Sequence, residues 1–316
     1  MGLRIRIERP ALFDRVGKFF AAPPCPPVLL QISSAFLSGL QVAETDKKPK
    51  QRLITPLPGG LVEPHFEKAN LRDRTALAGL LQEPLGRLGA SGGDAACLLP
   101  EACFRVFVLP FESFPASDRE RKSLILFRAK KQIPLPPDDL RLSYQTLESG
   151  QGVKVMAALA RASVIREYEE FFAGLGLKLG IISTPSLSLI NLIDWRTEPA
   201  GLLVNLDDDS LSLVAVTRSE PALYRVKAFA GERSEARRVD GVAKEIENTV
   251  HFIEDREQQA VPTLWFRNGL LDGGGGLPSA LAGKLAVPVK PVPAGPLDSL
   301  PEAERSILTP LAGLIP

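Results

Sequence analysis

The chain has 316 residues, enough for two domains or for one domain carrying a large insertion. Lys and Arg number 38 against 37 Asp and Glu, so the net charge of +1 gives no global electrostatic case for nucleic-acid binding. Two His and three Cys leave little material for zinc, His-based catalysis or a disulfide framework, whereas 28 prolines exceed the usual ~5%.

Residues 1–20 are basic, with Arg4, Arg6, Arg9, Arg15 and Lys18. Leu12, Phe13, Val16, Phe19 and Phe20 recur at helical spacing. This segment reads either as an arm that touches an anionic membrane surface peripherally or as a flexible or docked arm. Asp14, Arg15 and Lys18 interrupt any signal-peptide core, and no apolar run approaches ~18 residues. The expected compartment is therefore the cytosol. Pro23, Pro24, Pro26 and Pro27 stiffen the lead-in.

Strands are expected at 28–32, 36–42 and 51–57, with a charged turn at 46–50, and together they form a β-meander. A helix follows over 71–88, where Pro84 should kink or interrupt it. A fourth strand is expected at 95–99. Next come a strand at 104–109, a helix at 118–131 and strands at 140–144 and 153–160. A helix at 163–175 and a strand at 177–182 complete a split β-α-β-β-α-β module. Ser117 and Glu120 suit a capping box on the 118–131 helix. After a helix over 185–193 the opening pattern returns, with strands at 202–206, 211–217 and 222–228. A long helix at 239–257, a strand at 263–266, a helix at 278–285, a short strand at 287–289 and a tail helix from Glu302 finish the chain. Gln31 and Asn205 sit 174 residues apart at matching points, where each first strand turns into the second.

This duplicated meander, interrupted by a module, resembles the actin-like ATPase superfamily, and within it the PilM-type proteins of type IV pilus assembly, which share the fold of the cell-division protein FtsA. The resemblance covers nearly everything from Val28 onward. Its motifs are Leu109-Pro110, the string Gln132-Ile133-Pro134-Leu135-Pro136, Tyr144-Gln145 and the helical segment Glu245-Ile246-Glu247-Asn248-Thr249-Val250. It implies an α/β architecture: a duplicated actin-like (ribonuclease H-like) fold with a small βαββαβ module inserted in the first half. The implied divisions are an arm and linker over 1–27, the first half over 28–103, the module over 104–183, a connecting helix over 184–200 and the second half over 201–316.

The resemblance also implies an ATP/Mg site made of two hairpin turns and a glycine-rich adenine loop. Mapped here, that site comprises Gln31, Ser33, Ser34 and Ser38, then Asn205, Asp207, Asp208 and Asp209, and finally Gly269, Gly273, Gly274 and Gly275. Family aspartates that hold the waters of Mg²⁺ fall on the neutral amides Gln31 and Asn205. The family glycines fall on Ser33 and Asp207, and the family lysine falls on Ser38. Acids at 207–209 stand where phosphate should sit. A carboxylate ~4 Å from a phosphate charge costs roughly 4 kcal/mol at an effective dielectric near 20. The expected site is therefore degenerate and the expected function is scaffolding, with no catalytic residue assigned.

Other readings stay open. The 207–209 acids could be a metal site or a solvated turn, and Gly273–Gly276 an adenine loop or a flexible connection. Cys97 and Cys103 read as buried structural thiols, and His65 and His251 as surface or locally satisfied. Glu101, Glu112 and Asp118 form no glycosidase-like pair. The expected partner is the cytoplasmic tail of a PilN-like inner-membrane protein, with other pilus assembly proteins in addition. The alternatives are an active Mg-ATP-dependent ATPase of the same machinery or a cytoplasmic GspL-like component of type II secretion.

Overall fold

The structure is a computed structural model that describes residues 25–43, 48–90, 92–132, 139–149, 152–229 and 235–316. The basic arm 1–20, Pro23, Pro24, part of the 46–50 turn and the Ile-Pro-Leu-Pro string at 133–136 lie outside the described residues. Within them, no helix is long and apolar enough to cross a membrane.

The first half begins with β1 (Val28–Ile32), β2 (Phe36–Val42) and β3 (Pro49–Pro56), joined antiparallel. Helix α1 (Arg74–Arg87) starts at Asp73, whose carboxylate accepts from the Ala76 N–H and so satisfies one of the free donors of the first turn. It runs on through Pro84 to Arg87, so Pro84 does not interrupt it. Pro84 lies in the last turn, where the lost N–H affects one carbonyl near the helix end. Strand β4 (Gly93–Leu98) then lies parallel to β1.

A three-stranded antiparallel sheet follows, from β5 (Phe104–Phe111), β6 (Leu140–Ser149) and β7 (Gly152–Arg161), in the order β5-β7-β6. Helix α2 (Asp118–Lys130) packs on it through Ile125 and Leu124. Ser117 occupies its N-cap position without a side-chain cap hydrogen bond, so the expected capping box is absent. Asp118 instead takes the Tyr144 hydroxyl at 2.7 Å and pairs with Lys122.

Helix α3 (Ala162–Gly174) leads to β8 (Leu177–Ser183). Here the expected βαββαβ module is corrected. Strand β8 pairs with β4 in the first sheet, and α3 buries Tyr168, Phe171 and Phe172 in that sheet's core. The β5–β7 block therefore interrupts a parallel β4–α3–β8 crossover. Periodicity reports an element's type and not the sheet it joins. Helix α4 (Pro185–Leu189), capped by Thr184, closes the half.

The second half repeats this plan without the interruption. It holds β9 (Gly201–Leu206), β10 (Ser210–Thr217), β11 (Glu220–Ala228), α5 (Glu235–Glu257), β12 (Leu264–Asn268), α6 (Leu277–Lys284), β13 (Val289–Pro291) and α7 (Glu302–Ala312). The two five-stranded sheets have matching orders, β3-β2-β1-β4-β8 and β11-β10-β9-β12-β13. The 174-residue offset survives as register: Gln31 faces Ser38 across its hairpin, and Asn205 faces Ser212 across the other.

Strand β1 alternates between two cores because a pleated strand sends successive side chains to opposite faces. Val28, Leu30 and Ile32 meet Leu77, Leu81 and Leu85 of α1, whereas Leu29 meets Leu308, Leu311 and Ala312 of α7. Strand β9 does the same. Leu202, Val204 and Leu206 meet α5, whereas Leu203 joins Leu187 and Leu189 of α4. Helix α7 of the second half thus covers the first sheet. It also crosses α4 closely, since a Cβ on Gly313 would collide with the Ser188 carbonyl.

Leu308 is fully buried between α7 and the first sheet. Leu308→Ala is expected to cost about 2–5 kcal/mol in urea unfolding, from lost transfer energy plus a cavity. A cost below about 1 kcal/mol would contradict the packing of α7 on that sheet.

Candidate functional site

The two hairpin turns and the end of β12 meet where α4 and α7 cross. In the first turn, Ser33 closes a local turn. Its Oγ accepts from the Ala35 and Phe36 N–H groups at 3.2 and 3.0 Å. Its oxygen is therefore committed to its own backbone. Gln31 is 1% exposed, and both polar atoms of its amide lack a hydrogen-bond partner among the described residues. The Ser38 hydroxyl opposite is buried in the same condition.

The second turn is different. Asn205 donates through Nδ2 to Asp207 Oδ2 at 3.1 Å and to Ser186 Oγ at 3.3 Å. Its Oδ1 accepts from Arg267 Nη1 at 3.0 Å, and the same nitrogen makes a buried ion pair with Asp207. Arg267 is 2% exposed. Its Nε and Nη2 donate to the Ser306 and Ile307 carbonyls of α7 at 2.8 and 3.2 Å. The Ser306 carbonyl is free because the residue four positions on is Pro310, which has no N–H.

Gly269 belongs to this arrangement. A Cβ there would overlap Arg267 Nη1 and Asp207 Oδ1 and sit 2.5 Å from Arg267 Cζ. The missing side chain makes room for the ion pair. Gly273–Gly276 form a 3₁₀ turn before α6, with the Gly273 carbonyl accepting from Asn268 Nδ2 at 2.8 Å. Gly274 and Gly275 lie in that turn.

Asp208 and Asp209 flank the pair. Burial and the neighbouring Asp207 charge push each carboxyl up to about 6. For Asp209 the hydroxyls of Ser210 and Ser34 partly offset this, and Ser34 comes from the first turn. The two turns therefore face each other through Ser34 and Asp209.

Glu101 is a further buried acid, 1% exposed, in a short 3₁₀ turn after β4. It accepts from the Ser186 N–H at 2.8 Å and from the Tyr224 hydroxyl of β11 at 2.5 Å. Thr184 Oγ1 lies 3.0 Å from the Tyr224 oxygen. Burial pushes the Glu101 carboxyl up to about 7, against the opposing effect of these donors. The cluster ties the first half to the second through side chains. Sequence reasoning singled out neither Arg267 nor Tyr224, and set Glu101 aside. Arg267 is the next-to-last residue of β12, and its partners lie some 40–60 residues away in the chain.

The remaining residues are peripheral to this cluster. Cys97 and Cys103 are buried free thiols, pushed far up by burial. His65 accepts from the Glu67 and Lys68 N–H groups through Nδ1, so it is satisfied locally. His251 is an exposed position of α5.

No family model and no curated protein sequence matches the chain. Solved structures do match. One is a chain of a "PilM-PilN type IV pilus biogenesis complex", with TM-score 0.73 and 20% identity, over 93% of this chain and 100% of that one. The chain has the actin-like fold, in the form seen in that complex. A second is the ethanolamine utilization protein EutJ from Carboxydothermus hydrogenoformans, with TM-score 0.51 and 10% identity, over 93% of this chain and 92% of that one.

Two tests follow from this geometry. Gly269→Ala should destabilise the protein by about 1–3 kcal/mol because the new methyl meets the ion pair. By contrast, Gly283→Ala in α6, with open space around its Cβ, should stabilise it by about 0.5–1 kcal/mol. Equal effects in urea unfolding would contradict the crowding at Gly269. Second, Glu101, Asp208 and Asp209 have carboxyls raised on folding, so the native state binds their protons more tightly than the unfolded chain. Their penalty is complete above about pH 7 and fades towards the ordinary carboxylate range near pH 4, so cooling of the midpoint with rising pH is expected between those limits. Asp118, Asp139 and Asp194, with carboxyls lowered, act at more acid pH. Glu101→Gln should flatten the midpoint rise seen on moving from about pH 8 to about pH 5. An unchanged slope would contradict the buried ionisation of Glu101.

Proposed function

We propose that the protein is a platform of a type IV pilus assembly machine, held at the cytoplasmic face of the inner membrane by docking the N-terminal tail of a PilN-like partner. The observation that carries this reading is the likeness in fold, over nearly the full length of both chains, to a protein solved as a complex with PilN.

A candidate seat for the tail lies beside the β5–β7 sheet. A cavity of about 420 Å³ is lined by Arg141 of β6, Glu169 and Ala173 of α3, and Gly176, Leu177, Lys178 and Leu179 around β8. Strand β8 is an edge of the first sheet, so one side of its backbone is unpaired within that sheet. An extended peptide can add to such an edge, gaining main-chain hydrogen bonds while its side chains fill pockets. Arg141 and Glu169 form a bidentate pair at 2.6 and 3.0 Å in the wall, giving the seat both signs of charge.

On this reading the chain works by docking and not by turning over nucleotide. Gln31 and Asn205 are neutral amides, and the Asp207 carboxylate is already paired with Arg267.

The test is fluorescence anisotropy with a labelled N-terminal peptide of the PilN-like protein from the same organism. A Kd in the micromolar range, or about −8 kcal/mol, is expected. Ala173 is exposed, so Ala173→Arg should fill the cavity without unfolding the chain. It should weaken binding about tenfold or more, equivalent to about 1.4 kcal/mol. Absence of binding at ~100 times the expected Kd would overturn the proposal.

A further inference from the structure

Strands β4 and β12 occupy the same place in their halves, each parallel to the first strand. Leu98 lies beside Gln31 on β4, and Arg267 lies beside Asn205 on β12. One structural position thus carries a leucine in the first half and a buried guanidinium in the second. Both meet α7. Leu98 packs with Leu308 and Leu311, whereas Arg267 holds the Ser306 and Ile307 carbonyls.

An arginine cannot shed its charge, so a buried one requires anions and acceptors around its donors. Asp207, Asn205 and the two α7 carbonyls supply them. The carbonyl taken by Nε is the one that Pro310 leaves without a helical donor. The hairpin, the strand end and the helix thus satisfy one another.

The residues present do not fit Mg-ATP at the second turn. Asp207 is paired with Arg267, Gly269 opens onto the guanidinium, and Asp208 and Asp209 add two further half-buried acids to the same turn. We propose that Arg267 is a built-in cation that replaces the metal–nucleotide ligand at this hairpin and clamps α7 between the two halves, so that the closed arrangement needs no ligand. This deepens the docking reading, on which nucleotide turnover is not used, and assigns Arg267 as a positioning residue.

Replacing Arg267 removes the internal cation and leaves the Asp207 carboxylate buried beside Asp208 and Asp209. That arrangement favours uptake of an external cation. The double change with Asp207→Asn removes the unpaired charge, and loss of both partners of a buried pair is milder than loss of one.

The test is thermal unfolding of the full chain, alone, with millimolar MgCl₂, and with millimolar Mg-ATP. Wild type should keep its midpoint in all three. Arg267→Leu, which copies Leu98, should lower the midpoint by several degrees, and MgCl₂ alone should restore part of that loss. Arg267→Leu with Asp207→Asn should lie between the two and ignore MgCl₂. If Arg267→Leu does not fold, the double variant and the wild-type arms still decide. A wild-type midpoint raised by Mg-ATP, or an Arg267→Leu midpoint equal to wild type, overturns the clamp. A midpoint of the double variant raised by MgCl₂ also overturns it, because the cation would then bind elsewhere. None of these results bears on tail binding, which the peptide assay measures separately.

Discussion

A buried guanidinium organises the centre of this molecule. Arg267 has five donors in a fixed plane and, away from water, needs acceptors around them. It finds them in Asp207 and Asn205 of one hairpin and in two carbonyls of α7. Pro310 leaves one of those carbonyls without a helical donor, and Gly269 clears the space the fork needs. Because α7 also covers the first sheet through Leu308, Leu311 and Ala312, this contact couples the two halves. The Glu101–Tyr224 hydrogen bond is a second tie across the same seam.

Much of the fold was legible in the sequence. Strong apolar runs bounded by turn residues gave both meanders, and the match of Gln31 with Asn205 survives as strand register. Strands β1, β9 and β10 are buried throughout, and their apolar residues cover both faces, which is why they stand out as strands in the sequence. The destination of β8 was not legible. Its pattern suits either sheet, and the choice depends on where α3 buries Tyr168, Phe171 and Phe172.

The site was legible in part. Sequence placed the acids at 207–209 and the amides at Gln31 and Asn205, and the structure brings the two turns together through Ser34 and Asp209. It missed what neutralises Asp207. Arg267 follows Leu264, Trp265 and Phe266 near the end of β12, where an arginine ordinarily reaches solvent, and nothing local in the chain announces an acid 60 residues away. The one local signal was Gly269, read as part of an adenine loop; in the structure its missing side chain makes room for the ion pair. The asymmetry between Leu98 and Arg267 becomes visible once β4 and β12 are superposed as equivalent strands.

A platform closed by its own side chains would hold its partner's tail equally well with or without nucleotide, since a ligand with no differential affinity for two states shifts nothing. Isothermal titration of the PilN-like tail peptide into the full chain, with and without millimolar Mg-ATP, measures that coupling directly. Equal affinities in the two titrations are the expected result. A tail affinity that changes several-fold with Mg-ATP would contradict a ligand-independent platform, because by linkage the tail would then alter nucleotide affinity by the same factor.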